Sequence, residues 1–187
     1  MKAIASATRW AGGLAIAGAI GFVVVVSILH VLQPDYDFTH QLMSELALGA
    51  YGWATLPAFF LIAASTFSLA LGIGQLQRAP WLQAVLIVAG LGFLGAGVFP
   101  LGQASEWHIA LIAIAFVAVV LAMYLVPSAV PVQFGGEVKM VSWCLAAGTA
   151  LSVLLGHSLL PIGVGQRLAA VCVVTWLCFA GIRLRRG

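Results

Sequence analysis

The chain consists of long apolar stretches that are separated by short polar connectors. Six of these stretches hold about 20 predominantly apolar residues, the length that a helix needs to cross a bilayer. They cover approximately residues 10–32, 51–76, 80–101, 107–127, 140–161 and 167–184. The pattern therefore predicts an all-α fold, a polytopic integral membrane protein in which a six-transmembrane-helix bundle forms a single domain over residues 1–187.

The composition favours lipid over water as the surroundings of this bundle. The chain is 63% hydrophobic and 7% charged, whereas about a quarter of the residues in a soluble domain are charged. The eight Lys and Arg residues give a net charge of +3, but they are scattered singly and form no basic stripe. We therefore expect membrane lipids as partners and no nucleic acid, and a helix–helix partner or a homo-oligomer stays open.

The distribution of Lys and Arg predicts how the chain is oriented in the membrane. Seven of the eight fall on the side that carries both termini, and Arg167 alone falls on the opposite side. Basic residues concentrate in cytoplasmic segments, so this split predicts that both termini are cytoplasmic. An even number of spans requires the two termini to share a side, which agrees. We expect a multi-pass protein of the cell (inner) membrane.

Polar side chains gather in the first connector, residues 33–50, on the side opposite the termini. Asp37 is a good N-cap residue, which predicts a short interfacial helix over residues 38–48. In such a helix Asp37, His40 and Ser44 share one face. Side chains stacked along one helix seldom converge as a nucleophilic triad must. We interpret Asp37 and His40 as capping and solvation at the interface.

Four polar residues form the candidate functional cluster: Ser44, Glu45, His108 and Arg167. Ser44 and Glu45 are flanked by apolar residues and lead directly into the second span. A carboxylate near membrane depth is costly unless it is paired or faces a polar cavity. Arg167 is the basic residue on that side, which predicts a Glu45–Arg167 pair. A structural tie and a functional site are both open for this pair.

The four histidines are His30, His40, His108 and His157, and the predicted topology places all of them at or near the outer ends of spans, on the side opposite the termini. Three of them, His40, His108 and His157, are weak candidates for metal ligands, and His30 and His157 could face each other across a haem. Zinc needs three or four converging ligands, and no two histidines have the spacing that places them on one helix face. We expect no stoichiometric zinc or haem, and the sequence identifies no cofactor.

Three stretches carry a family resemblance: PDYDFTHQLMSELALGAYGW, FPLGQASEWHIAL and GVGQRLAAVCVVTW. With them the chain resembles the bacterial and archaeal membrane proteins of domain-of-unknown-function family 998, which implies a small six-span membrane protein without a settled activity. The residues that match its pattern are Ser44, Glu45, Gly49, His108, Gln166 and Arg167. More loosely, the layout is similar to eukaryotic six-span families of autophagy modulation and GPI-anchor lipid remodelling, which implies a link to lipids.

Three functions are consistent with these residues. The first is lipid binding or lipid processing through Ser44, Glu45, His108 and Arg167. The second is a metal-dependent intramembrane hydrolase that uses the histidines. The third is a non-enzymatic accessory or structural subunit in which the polar cluster locks the bundle. The chain shows no complete nucleophile–base–oxyanion motif, so the sequence does not decide whether it is an enzyme.

Overall fold

Six long α-helices account for most of the computed structural model, which describes residues 2–77, 79–130, 135–156 and 158–186. They are α1 (Lys2–Leu32), α2 (Thr55–Leu76), α3 (Pro80–Val98), α4 (Ser105–Ala129), α5 (Glu137–Gly156) and α6 (Ile162–Arg186). Two 3₁₀ helices, Met43–Leu48 and Gly52–Ala54, lie between α1 and α2. The described residues contain no β-strand. The all-α prediction is confirmed.

All six predicted spans are helices long and apolar enough to cross a membrane. The largest difference from the predicted bounds is at the start of α1, and the start of α6 also differs. Helix α1 begins at Lys2 rather than at residue 10, because several of the residues between these positions, such as the alanines, favour a helix. The Arg9 side chain also donates to the Ala5 carbonyl oxygen at 3.1 Å. Helix α6 begins at Ile162, so Arg167 lies in its second turn. The other bounds differ by less than two turns.

Small residues let neighbouring helices approach closely around the bundle. The order of packing follows the chain, and α6 closes the ring by packing against both α5 and α1. A side chain at Gly12 would place its Cβ 2.3 Å from the Gly181 carbonyl oxygen, and one at Gly165 would lie 2.5 Å from the Gly156 Cα. Helices in lipid associate through such close packing. The backbone of α6 therefore packs closely against the backbones of α1 and α5.

The segment between α1 and α2, residues 33–54, is named the connector below. A short helix lies in it as predicted and ends at Leu48, but it is a 3₁₀ helix that begins at Met43 rather than at residue 38, and its N-cap is Leu42 rather than Asp37. Asp37 instead accepts hydrogen bonds from the Thr39 N–H and hydroxyl and from His40, which closes a local turn. The 3₁₀ helix begins where the Glu45 carboxylate accepts the Leu42 N–H at 2.9 Å.

Candidate functional site

Arg167 forms the centre of the polar cluster at the connector end of the bundle. Its Nη1 donates to the backbone oxygens of Gln41 and Gly163, at 3.0 Å and 2.9 Å. Its Nη2 donates to His30 Nε2 at 2.9 Å and to Tyr36 Oη at 2.6 Å. These bonds use four of the five guanidinium N–H groups. One side chain of α6 therefore ties together the end of α1 and the connector.

His30, in the last turn of α1, has both ring nitrogens engaged. Its Nδ1 lies 2.6 Å from the Val26 carbonyl oxygen, and its Nε2 lies 2.9 Å from Arg167 Nη2. A carbonyl oxygen accepts only and a guanidinium donates only, so these contacts fit a neutral imidazole with its hydrogen on Nδ1. His30 therefore serves Arg167 as an acceptor and has no nitrogen left for a haem iron.

Tyr36 links Arg167 to the backbone of the connector. Its hydroxyl accepts from Arg167 and donates toward the Leu42 oxygen at 2.7 Å. Its ring packs edge-on against His30, with 5.2 Å between ring centroids. Burial raises the pKa of the Tyr36 phenol, while the hydrogen bond and charge of Arg167 act in the opposite direction. The phenol therefore keeps its proton at neutral pH and holds the turn in place.

Glu45 and Arg167 do not form the predicted direct pair, and their charged atoms lie more than 4.0 Å apart. The Glu45 carboxylate caps the 3₁₀ helix and accepts from Gln41 Nε2 at 3.3 Å. The backbone oxygen of Gln41 accepts from Arg167, so Gln41 joins the two charges. The prediction of a direct pair is wrong because other groups satisfy each charge. Glu45 accepts from Leu42 and Gln41 of the connector, and Arg167 donates to four acceptors, none of them a carboxylate.

Ser44 and His108, the other two predicted members, lie outside this network. Ser44 is 6% exposed and lines an interior cavity. His108 is 2% exposed, and its Nδ1 lies 2.8 Å from the Ala96 oxygen and 3.1 Å from that of Phe99, at the end of α3. Its ring meets Phe59 edge-on. In the described residues His108 makes no hydrogen bond to Arg167, and its Nε2 has no hydrogen-bond partner.

Two of the three metal candidates, His40 and His108, lie in the described residues, and they have different surroundings. His40 is an exposed turn residue whose Nδ1 lies 2.9 Å from Asp37, and His108 is buried against α3. His157 lies outside the described residues. Hydrogen bonds from Thr39 and His40 hold the pKa of the Asp37 carboxyl well below its usual range, so the carboxylate in this turn stays ionised. Among the residues that the structure describes, no group of three or more His, Cys, Asp or Glu side chains could hold a metal ion.

Tyr36, Gln41 and Gly163 are site residues that sequence reasoning missed. Tyr36 left one usable signal, since it is an amphipathic aromatic residue among the acids of the connector. Gln41 and Gly163 left none, because each contributes its backbone oxygen, which every residue possesses.

The chain was also compared with known proteins. A family model described as Protein of unknown function (DUF998) matches residues 16–183, a range that contains the whole Arg167 site. No curated protein matches the chain. No solved structure matches it either.

Proposed function

The chain belongs to the family described as Protein of unknown function (DUF998), so we propose a function from the geometry of the Arg167 site. We propose that the protein binds a membrane lipid with an anionic headgroup. The observation that carries this proposal is a groove of about 490 Å³ between α1 and α6, with His30 and Arg167 among its lining residues. A cationic group at one end of a lipid-facing apolar groove matches the two chemical parts of such a lipid.

The lining residues give the groove a direction along the bundle. His30 and Arg167 lie at the connector end, while Val23 on α1 and Val174 on α6 lie seven residues further from that end. Seven residues correspond to roughly 10 Å of helix. The groove therefore runs from a charged group near the end of the bundle toward an apolar interior, as headgroup and acyl chain do in a bilayer.

The charge of Arg167 favours an anionic ligand. None of its four acceptors is a carboxylate, and no carboxylate of the described residues lies within 4.0 Å of the guanidinium. Its Nε–H has no acceptor among the described residues and is available to a phosphate oxygen. Arg–phosphate hydrogen bonds are charge-assisted and strengthen where the local dielectric constant is low. The groove therefore offers a phosphate both a net charge and a donor.

The geometry supports binding better than lipid processing. Ser44, Glu45 and His108 make no hydrogen bond to one another in the described part of the chain, and processing would require them to act together. The accessory-subunit alternative has one observation in its favour, because four of the five Arg167 N–H groups are satisfied within the protein.

The lipid proposal is tested by the headgroup that the protein retains. Native mass spectrometry of protein incubated with equal amounts of phosphatidylglycerol and phosphatidylcholine is expected to show preferential retention of phosphatidylglycerol. Arg167→Gln should remove the preference, while Arg186→Gln, an exposed arginine at the opposite end of α6, should keep it. Equal retention of the two lipids by the wild type would refute the proposal, even if Arg167→Gln does not fold.

We propose in addition that the connector faces outward from the cell membrane, with both termini in the cytoplasm, on the seven-to-one distribution of Lys and Arg. In a chain without its native cysteines, Asp35→Cys is expected to react with a membrane-impermeant maleimide on intact cells. Gly187→Cys is expected to react only after lysis. Labelling of both positions from one side would contradict this orientation.

A further inference from the structure

An interior cavity of about 40 Å³ lies beneath the 3₁₀ helix Met43–Leu48, and residues of α1, α2, α3, α4 and α6 line it. One water needs a cavity of roughly 10–15 Å³, so this cavity has room for about three waters or for a few atoms of a ligand. Most of its wall is apolar, with Phe59 and Phe116 among the larger side chains. Ser44 and Gln166 contribute polar groups to it.

These two polar side chains offer hydrogen bonds that the protein does not use. Ser44 is 6% exposed, and its hydroxyl has no partner among the described residues. Gln166 Oε1 accepts the Met43 N–H at 2.6 Å, which identifies Nε2 as its other terminal atom. No described residue accepts from that Nε2. Ser44 is buried and Gln166 is half-buried. Neither donor is used by the described part of the protein, so a ligand in this small cavity that accepts hydrogen bonds would satisfy both.

The cavity and the α1–α6 groove lie on opposite sides of a shared wall of side chains. Four side chains line both spaces: Phe22, Val26, Met43 and Ala170. Met43 is part of this shared wall, and the flexible, unbranched side chain of methionine adapts its shape readily. Gln166 directly precedes Arg167, so the cavity donors lie next to the cationic end of the groove. In a glycerophospholipid the ester carbonyls are likewise one glycerol unit from the phosphate.

We propose that this cavity is the acyl-ester subsite of the lipid site, in which Ser44 Oγ and Gln166 Nε2 donate to an ester carbonyl oxygen beyond Met43. The inference rests on the proposed function and deepens it, because it identifies the ligand as an ester-linked glycerophospholipid. An ether-linked lipid with the same headgroup lacks the carbonyl oxygen and leaves both donors unsatisfied.

The test compares diacyl phosphatidylglycerol with its dialkyl-ether analogue of equal chain length, by native mass spectrometry of the full-length protein. The wild type is expected to retain the diester about fivefold better, the effect of about one hydrogen bond. Ser44→Ala should abolish this preference. The matched control is Ser68→Ala, since Ser68 is also buried but donates to its own helix at the Ala64 oxygen.

Each outcome separates this inference from the proposed function. Equal retention of diester and diether by the wild type, with both retained better than phosphatidylcholine, overturns the ester subsite and leaves the headgroup site intact. A diester preference that persists in Ser44→Ala overturns the role of Ser44. A cavity-filling variant, Ala58→Val, is expected to lose the ester preference and to keep the preference for phosphatidylglycerol, because Ala58 lines the cavity and not the groove.

Discussion

Arg167→Gln is expected to lower the free energy of unfolding by about 3–5 kcal/mol, measured by SDS titration in mixed micelles. The substitution removes hydrogen bonds from a charged donor to four acceptors, and each such bond contributes roughly 1.5–3 kcal/mol, part of which local rearrangement and water recover. Arg186→Gln serves as the control, since Arg186 is exposed at the other end of the same helix.

The Arg167 prediction extends to its relation with Glu45. Glu45→Gln is expected to cost less than about 1 kcal/mol, because the amide oxygen of Gln can still accept the Leu42 N–H. With Gln41 between the two charges, the double variant should show nearly the sum of the two single losses. Recovery of stability in the double variant would instead show that the two charges pair directly.

Gly163→Ala is expected to destabilise the protein by about 3 kcal/mol, at the upper end of what overpacking costs. A Cβ at this position would lie 2.5–2.6 Å from the backbone oxygens of Gln41, Phe38 and Thr39, so the connector would have to move away from α6. Because the Gln41 oxygen is an acceptor of Arg167, the preference for phosphatidylglycerol should weaken as well.

The matched control for this variant is Gly13→Ala. A Cβ at Gly13 would meet no atom within 4 Å, and alanine favours a helix over glycine by up to about 1 kcal/mol. Gly13→Ala should therefore be neutral or slightly stabilising in the same titration. Equal stability of Gly163→Ala and the wild type would mean that the connector does not rest on α6 as described.

Some of this structure follows from sequence and some does not, for physical reasons. Apolar stretches long enough to span a bilayer define the six helices, because lipid leaves few other arrangements for the backbone. Arg167 could be singled out because its charge is isolated from the other basic residues. Its partners Gln41 and Gly163 could not be inferred, since they contribute backbone oxygens, which every residue possesses. The charges predict a pair between Glu45 and Arg167, but the Glu45 carboxylate accepts instead from the Leu42 N–H, three residues away in the chain.

The hydrogen bonds of Arg167 also determine when the site can form during biosynthesis. Its partners His30, Tyr36 and Gln41 precede it by 137, 131 and 126 residues. A ribosome delivers the N-terminal helices first, so the connector emerges long before its anchor. Until α6 is inserted, the acceptors in the connector have no guanidinium to bind, and the groove has only one wall. The proposed lipid site is thus completed only when α6 is inserted, and a lipid that entered it would contact both α1 and α6.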